Sequence, residues 1–83
     1  MPEKFSARLM SRHAVREARR ERIPLDLIRL TYEDPDRPHG TRPSDHDELR
    51  EIRTRWFGEQ GIEVVVDTGD GRVVSVWRKG QKR

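Results

Sequence analysis

Two valine-rich runs are joined by a Thr-Gly-Asp-Gly turn in the stretch Ile62-Glu63-Val64-Val65-Val66-Asp67-Thr68-Gly69-Asp70-Gly71-Arg72-Val73-Val74-Ser75-Val76-Trp77-Arg78. Valine is stiff about χ1 and favours the pleated surface of a β-sheet. Glycine and aspartate tolerate the positive φ angles that a chain reversal needs. The stretch is therefore predicted to form a β-hairpin. Because it holds the largest local concentration of apolar side chains, we expect the core to form on it.

The composition indicates one small domain with a heavily charged surface. Of the 83 residues, 31% are hydrophobic and 40% are charged, and the formal net charge is +3. Most of the 18 basic residues are arginine, whose planar guanidinium binds phosphate bidentately and stacks on bases. This favours a nucleic-acid partner, although a merely solvated arginine-rich surface gives the same composition.

Two classes of protein are excluded by what the sequence lacks. The chain has no cysteine, so it has neither a disulfide framework nor a thiolate metal site. No apolar run is long enough for a signal peptide or a membrane span. We therefore expect a cytoplasmic protein without membrane contact.

The first part of the chain is predicted to hold two helices. Apolar residues alternate within residues 1–10, which favours a short edge strand, with a helical entry segment as the alternative. Ser11 is a typical N-cap for a basic helix, and Pro24 breaks that helix and begins a second one. Residues 11–33 are thus two helices joined by an elbow.

The second part is predicted to form an antiparallel meander. Residues 34–47 hold three prolines and no periodicity, which indicates a loop. Residues 48–57 alternate in polarity and form a strand that leads into the hairpin, so that 48–78 is a meander and 79–83 a basic tail. The predicted fold class is α+β, with two N-terminal helices packed on a three- to four-stranded antiparallel β-sheet in one domain, residues 1–83.

The alternation of side chains predicts the two faces of this sheet. The helices are expected to cover the face that bears Ile52, Trp56, Ile62, Val64, Val66, Val74 and Val76. The opposite face then presents Arg53, Arg55, Val65, Val73, Ser75 and Trp77. Arginines beside a tryptophan and a hydroxyl suit phosphate contact and base stacking. The alternative is that Trp77 is an ordinary half-buried residue and that the arginines maintain solubility. A register shift of one residue would exchange the faces.

His13 is the candidate for acid–base chemistry. It lies in the first turn of the first helix between Arg12 and Arg16, and this positive charge favours a neutral imidazole able to accept a proton. RNA cleavage through the 2′-hydroxyl needs a base, an acid and cationic stabilisation, which histidine and arginine supply. A structural hydrogen bond at the helix terminus is the alternative role. His39 and His46 lack the spacing of metal ligands, so we predict no metal and no cofactor.

Several short motifs resemble a family of small bacterial domains. They are Ser11-x-His13-Ala14, Glu21-Arg22-Ile23-Pro24 followed by Leu27-Ile28, Val64-Val65-Val66, and Val73-Val74-Ser75-Val76-Trp77. Members typically read S-x-H-A, then R-G-I, and end in a strand such as V-V-T-V-Y, and this chain has Arg22 where the family has glycine. The segment Arg72-Val73-Val74-Ser75 is also similar to the BrnT toxins of the RelE-like ribonuclease group.

The resemblance implies a RelE-like fold and a toxin-type, metal-independent endoribonuclease neutralised by an antitoxin protein. It implies that His13, Arg53 and Ser75 are catalytic. Candidate nucleic-acid-binding residues are Arg16, Arg20, Arg55, Trp77 and Arg78. The expected partners are RNA, an antitoxin and a second copy of the chain, since an exposed edge strand can pair with another strand. The alternatives are a non-catalytic nucleic-acid- or protein-binding module on the same fold, and a thermostable domain without a nucleic-acid role.

Overall fold

The fold is two helices followed by a four-stranded antiparallel sheet, in a computed structural model that describes residues 4–45, 47 and 49–80. A short 3-10 helix at Ala7–Leu9 precedes α1 (Arg12–Glu21) and α2 (Leu25–Glu33). The strands are β1 (Thr41–Pro43), β2 (Arg50–Phe57), β3 (Gln60–Asp67) and β4 (Val73–Lys79), in the spatial order β1-β2-β3-β4. The α+β prediction is confirmed.

The predicted hairpin is formed by β3 and β4. Gly71 takes a φ of +75° in the turn, and its N–H donates to the Asp67 carbonyl over 2.8 Å. A β-bulge interrupts the pairing, because Val65 lies opposite Ser75 whereas Val66 lies opposite Val73. The bulge changes which side chains of β4 face the helices and which face the other side of the sheet.

The loop between β2 and β3 sets the register of β2. Gly58 and Glu59 form a two-residue loop, with Gly58 at a φ of +68°, and Phe57 pairs with Gln60. This pairing places Arg53 opposite Val64, on the face that the helices cover. The predicted faces would instead have needed Ile52, Trp56 and the even-numbered residues of β3 on one side of the sheet, one residue out of this register.

The predicted assignment of the faces is therefore wrong in β2 and in part of β4. Arg53 and Arg55 belong to the helix-covered face, and Ile52 and Trp56 to the opposite one. Because of the bulge, Val73 is fully buried in the core and Val74 is half-buried. A one-residue shift was sufficient to exchange the faces, as the period of two requires.

The core lies between the helices and the sheet. Its buried residues are Met10, Ala14, Ile23, Ile28, Tyr32, Ile62, Val64, Val66, Val73 and Val76. Burial of this apolar surface is the main force that holds the helices on the sheet. No helix in the described part of the chain is long and apolar enough to cross a membrane.

Ser11 fixes the start of α1 against β4. Its Oγ accepts a hydrogen bond from the Ala14 N–H at 3.0 Å, as an N-cap does, and donates to the Val74 carbonyl at 3.2 Å. Its own N–H donates to the Val73 carbonyl at 2.9 Å. The predicted N-cap is confirmed, and the first turn of α1 is held beside β4.

The outer edge of β4 is covered by α1. The Val76 N–H donates to Glu17 Oε1 at 3.2 Å, and the Arg78 N–H donates to Glu21 Oε1 at 3.1 Å. Side-chain carboxylates thus take the place of a neighbouring strand, which protects the edge. Among the described residues, the sheet edge left for pairing with another chain is that of the short strand β1.

Two predictions for irregular segments need correction. The expected edge strand within residues 1–10 is wrong for the described residues 4–10, where the chain forms a 3-10 helix and Met10 makes a single parallel bridge with Val73. The predicted loop 34–47 contains β1, which pairs with β2. The Gly40 carbonyl accepts from the Thr54 N–H, and this backbone pairing overrides the lack of periodicity. Residues 1–3 and 81–83 lie outside the described residues.

Arg22 ends α1 in a left-handed conformation, with φ 55° and ψ 47°. Glycine adopts this conformation without the steric cost that a side chain brings. Arg22→Gly is therefore expected to raise the free energy of unfolding by about 1 kcal/mol in urea denaturation. Arg20→Gly, inside the same helix, should lower it by a similar amount. A destabilised Arg22→Gly variant would contradict this account of the helix end.

Candidate functional site

The face of the sheet opposite the helices is called the open face here. It consists of three rows of residues that lie side by side across the strands. The rows are Arg42–Ile52–Val65–Ser75, Thr54–Glu63–Trp77 and Trp56–Gly61–Lys79. Two cavities lie on this face, one near each end of β4.

The first cavity, called the His13 cavity, lies where the start of α1 meets the open face. It has a volume of about 290 Å³, and its lining includes His13, Arg50, Ile52, Ser75 and Trp77. The side chain of His13 is 61% exposed. The structure thus brings together three residues that the sequence singled out, namely His13, Ser75 and Trp77.

Glu17 connects His13 to Ser75. Its Oε1 lies 3.1 Å from His13 Nε2 and accepts hydrogen bonds from Ser75 Oγ at 2.6 Å and from the Val76 N–H at 3.2 Å. Because Nε2 carries the hydrogen that faces the carboxylate, the neutral imidazole has its lone pair on Nδ1. This is a histidine oriented by a carboxylate, as in many sites of general base catalysis. Sequence reasoning missed Glu17, although its i,i+4 spacing from His13 was a usable signal.

Glu63 is a buried carboxylate at the centre of the open face. Its Oε2 accepts hydrogen bonds from Arg42 Nη1 at 2.8 Å and Thr54 Oγ1 at 2.6 Å, and its Oε1 accepts from Trp77 Nε1 at 2.9 Å. Lys79 Nζ lies 3.7 Å from Oε2. Burial acts to raise the pKa of Glu63, but the hydrogen bonds from Arg42, Thr54 and Trp77 outweigh it and hold the pKa below its ordinary value of 4.5. The ionised Glu63 therefore fixes Trp77 and Arg42 on this face.

The second cavity, called the Trp56 cavity, lies at the other end of the open face. Its volume is about 360 Å³, and its lining includes Arg37, His39, Arg42, Trp56 and Lys79. Sequence reasoning missed this cavity, because it depends on β1 and on the packing of the loop that precedes it. The fold places cationic and aromatic side chains on both ends of one sheet face.

Two predicted site arginines lie on the other side of the sheet. Arg53 Nη1 donates to the Tyr32 carbonyl at 2.7 Å, and its guanidinium carbon lies 4.7 Å from the centroid of the Tyr32 ring. Arg55 Nη1 donates to Asp34 Oδ2 at 3.0 Å. The structure therefore does not bring Arg53 or Arg55 together with His13 and Ser75.

The remaining predicted binding arginines lie on or near α1. Arg78 Nε donates to the Glu21 carbonyl at 2.9 Å and its Nη2 to the Arg22 carbonyl at 2.7 Å, so this side chain caps the end of α1. Arg16 and Arg20 are exposed. Sequence periodicity could not distinguish a capping arginine from a solvated one.

The described residues contain no group of three or more histidine, aspartate or glutamate side chains arranged to hold a metal ion. Comparisons of the chain with protein-family models, with curated proteins and with solved structures found no match. The resemblance to BrnT and RelE-like toxins therefore stays a prediction.

Proposed function

We propose that the protein is a toxin-type, metal-independent endoribonuclease that cleaves single-stranded RNA in the His13 cavity. One observation carries the proposal: the exposed imidazole of His13 is oriented by Glu17 and shares a cavity with Arg50 and Trp77. Cleavage of a phosphodiester next to a 2′-hydroxyl uses a general base and a cation, and an aromatic side chain beside them can bind the RNA by stacking on a base.

The proposed reaction uses the 2′-hydroxyl of the RNA as its nucleophile. His13 Nδ1 takes the proton of this hydroxyl, and the 2′-oxygen attacks the neighbouring phosphorus. The bond from phosphorus to the 5′-oxygen breaks, and the leaving oxygen takes a proton from solvent. The imidazolium then returns its proton to solvent. The products are a 2′,3′-cyclic phosphate and a 5′-hydroxyl end.

The roles of the surrounding residues follow from their positions. Arg50 supplies the positive charge that the sequence assigns to Arg53, since it lines the His13 cavity and its side chain is 44% exposed. Its Nε also lies 3.5 Å from Asp47 Oδ2, which compensates part of this charge. Ser75 is a positioning residue, because its hydroxyl hydrogen is donated to Glu17. Trp77 offers its indole to a base while Glu63 holds the indole N–H.

The test is the chemistry of the RNA ends. Purified wild type is incubated with a fluorescently labelled single-stranded RNA in the presence of a chelator, and the product ends are identified by mass spectrometry. We expect 5′-hydroxyl and cyclic phosphate ends, and no products from a His13→Ala preparation made in parallel to exclude a contaminating ribonuclease. Intact RNA with the wild type, or equal cleavage by both proteins, would overturn the proposal.

A non-catalytic binding module is the second candidate function. It is favoured by the position of Arg53, which is held behind the sheet by Tyr32 and so cannot stabilise a phosphate beside His13. This candidate predicts RNA or protein binding without cleavage. The affinity for RNA should fall with added salt if phosphate contacts carry it, whereas a domain without a nucleic-acid role binds weakly and without salt dependence.

The expected partners and location of the protein are those of a toxin. A toxin of this type requires an antitoxin protein, acts in the cytoplasm, and has a RelE-like arrangement of helices and sheet. Pairing with an antitoxin strand or with a second copy would use the edge of β1, since α1 covers the edge of β4.

A further inference from the structure

The Trp56 cavity has positive charge available for an anion. Arg37 and His39 are exposed, and among the described residues neither has a carboxylate partner within ion-pair distance. Arg42 and Lys79 share one carboxylate, that of Glu63. A second carboxylate, that of Asp36, lines the cavity and accepts a hydrogen bond from the Trp56 N–H at 2.9 Å. Three cations, Arg37, Arg42 and Lys79, thus face two carboxylates, Asp36 and Glu63, which leaves one positive charge in excess at the cavity.

Trp56 provides a flat apolar surface in the same cavity. It lies opposite Gly61 in the sheet, and a Cβ atom built on Gly61 would come within 3.2 Å of two atoms of the indole. The indole therefore lies flat over the glycine, and a side chain at this position would displace it. One ring face rests on the sheet, which leaves the other for the cavity that Trp56 lines. An aromatic ring held in this way is a stacking platform for a base.

The two cavities lie along one path on the open face. Ser75 lines the His13 cavity and Lys79 lines the Trp56 cavity, and both belong to β4. At the usual rise of a strand their positions are about 13 Å apart. A short single strand of RNA can span this distance, whereas a mononucleotide cannot.

We infer that the Trp56 cavity is a nucleotide-binding subsite that holds one unit of a single-stranded RNA, with its base stacked on Trp56 and its phosphate bound by Arg37 and Lys79. The adjacent part of the strand reaches the His13 cavity. The inference rests on the proposed function in one respect, namely that the RNA strand bound in the Trp56 cavity is the strand cleaved in the His13 cavity. Binding at Trp56 itself does not require cleavage.

The chain has two tryptophans, so a Trp77→Phe variant reports on Trp56 alone. Adenosine 5′-monophosphate is expected to quench its fluorescence in a saturable manner. Adding Arg37→Gln and Lys79→Gln should weaken this binding roughly tenfold, because two charge-assisted contacts are lost. Adding Lys4→Gln and Arg8→Gln, which removes the same charges outside both cavities, should change it less than about twofold. Equal effects of the two pairs would overturn the inference.

Two further ligands identify what the subsite recognises. A pentanucleotide of single-stranded RNA should bind more tightly than the mononucleotide and should be weakened by the same pair, Arg37→Gln and Lys79→Gln. Inorganic phosphate should compete weakly. If phosphate competes as well as the mononucleotide does, the cavity binds an anion without a base, and the nucleotide assignment is wrong.

Amide NMR of the wild type provides a second measurement that does not depend on the folding of Trp77→Phe. Adenosine 5′-monophosphate should shift the amide resonances of Arg37, His39, Gly40, Trp56 and Lys79. Shifts confined to His13 and Ser75 would overturn the inference. Nucleotide binding at Trp56 by a protein that never cleaves RNA would support this subsite while removing the proposed function, so the two can fail separately.

Discussion

Bacteria that express the wild-type chain are expected to stop growing and to accumulate fragmented RNA, whereas those that express His13→Ala should grow with intact RNA. The reason is that, in the proposed mechanism, His13 is the base that takes the 2′-hydroxyl proton, and the variant lacks it. General base catalysis contributes about 100-fold to 10,000-fold to a rate, so the purified variant should cleave RNA slower by that factor. Growth and total RNA are followed together after induction, and cleavage is measured by single-turnover kinetics.

Glu17→Gln separates the role of the base from that of its orienting carboxylate. The variant keeps His13 but loses the anion that holds Nε2 at 3.1 Å, so we expect a smaller loss, about tenfold to 100-fold. Circular dichroism has to show that α1 is retained, since Glu17 also binds β4. Glu33→Gln, on α2, is the matched control and should keep the wild-type rate. Toxicity or cleavage that survives in His13→Ala would remove His13 from the mechanism.

Arg42→Met is expected to lower the free energy of unfolding by about 2–3 kcal/mol at pH 7. Glu63 is 4% exposed and would lose its 2.8 Å partner, although Lys79, Thr54 and Trp77 remain beside it. The loss is smaller than for a fully buried pair because Arg42 is itself 45% exposed. It is large for a chain of this length, whose total stability is roughly 4–12 kcal/mol. Urea denaturation measures it.

The pH dependence of this loss identifies its cause. The pKa of Glu63 is lower in the folded state than the ordinary 4.5, so its ionised form contributes stability above about that pH, and this contribution is lost as the pH falls through the folded pKa. The difference between wild type and Arg42→Met should therefore be largest near pH 7 and shrink as the pH falls below 4.5 and through the folded-state pKa of Glu63. Arg8→Met, at an exposed arginine outside the open face, should leave the free energy of unfolding nearly unchanged at high and at low pH. A loss that does not depend on pH would show that Arg42 stabilises the fold by packing instead.

Local chemistry allowed much of the fold to be predicted from sequence. The valine runs and the Gly-Asp-Gly turn define the hairpin, Ser11 caps α1, and Pro24 separates α1 from α2. Each of these signals acts over a few residues, so it does not depend on what the rest of the chain does. The same holds for His13, whose place in the first turn follows from the cap.

The pairing of strands distant in the chain decided on which face of the sheet each side chain lies, and the sequence alone did not predict this. The register of β2 across the Gly58-Glu59 loop and the bulge in β4 each differ by one residue from the pairing that the predicted faces require. A difference of one residue moves a side chain to the other face of the sheet. This is why Arg53 lies behind the sheet while Trp56 lies on the open face. Periodicity within one strand defines its two faces but not which of them the helices cover.

Local sequence signals were enough to predict the α+β class, the two helices, the hairpin and the position of His13 at a helix start, because caps, breakers and β-branched runs act over a few residues. The tertiary structure alone decided the content of the candidate site. It brought Glu17 to Ser75 and buried Glu63 under Trp77. The physical reason is that these contacts join residues far apart in the chain, and the register that joins them depends on a two-residue loop and one bulge.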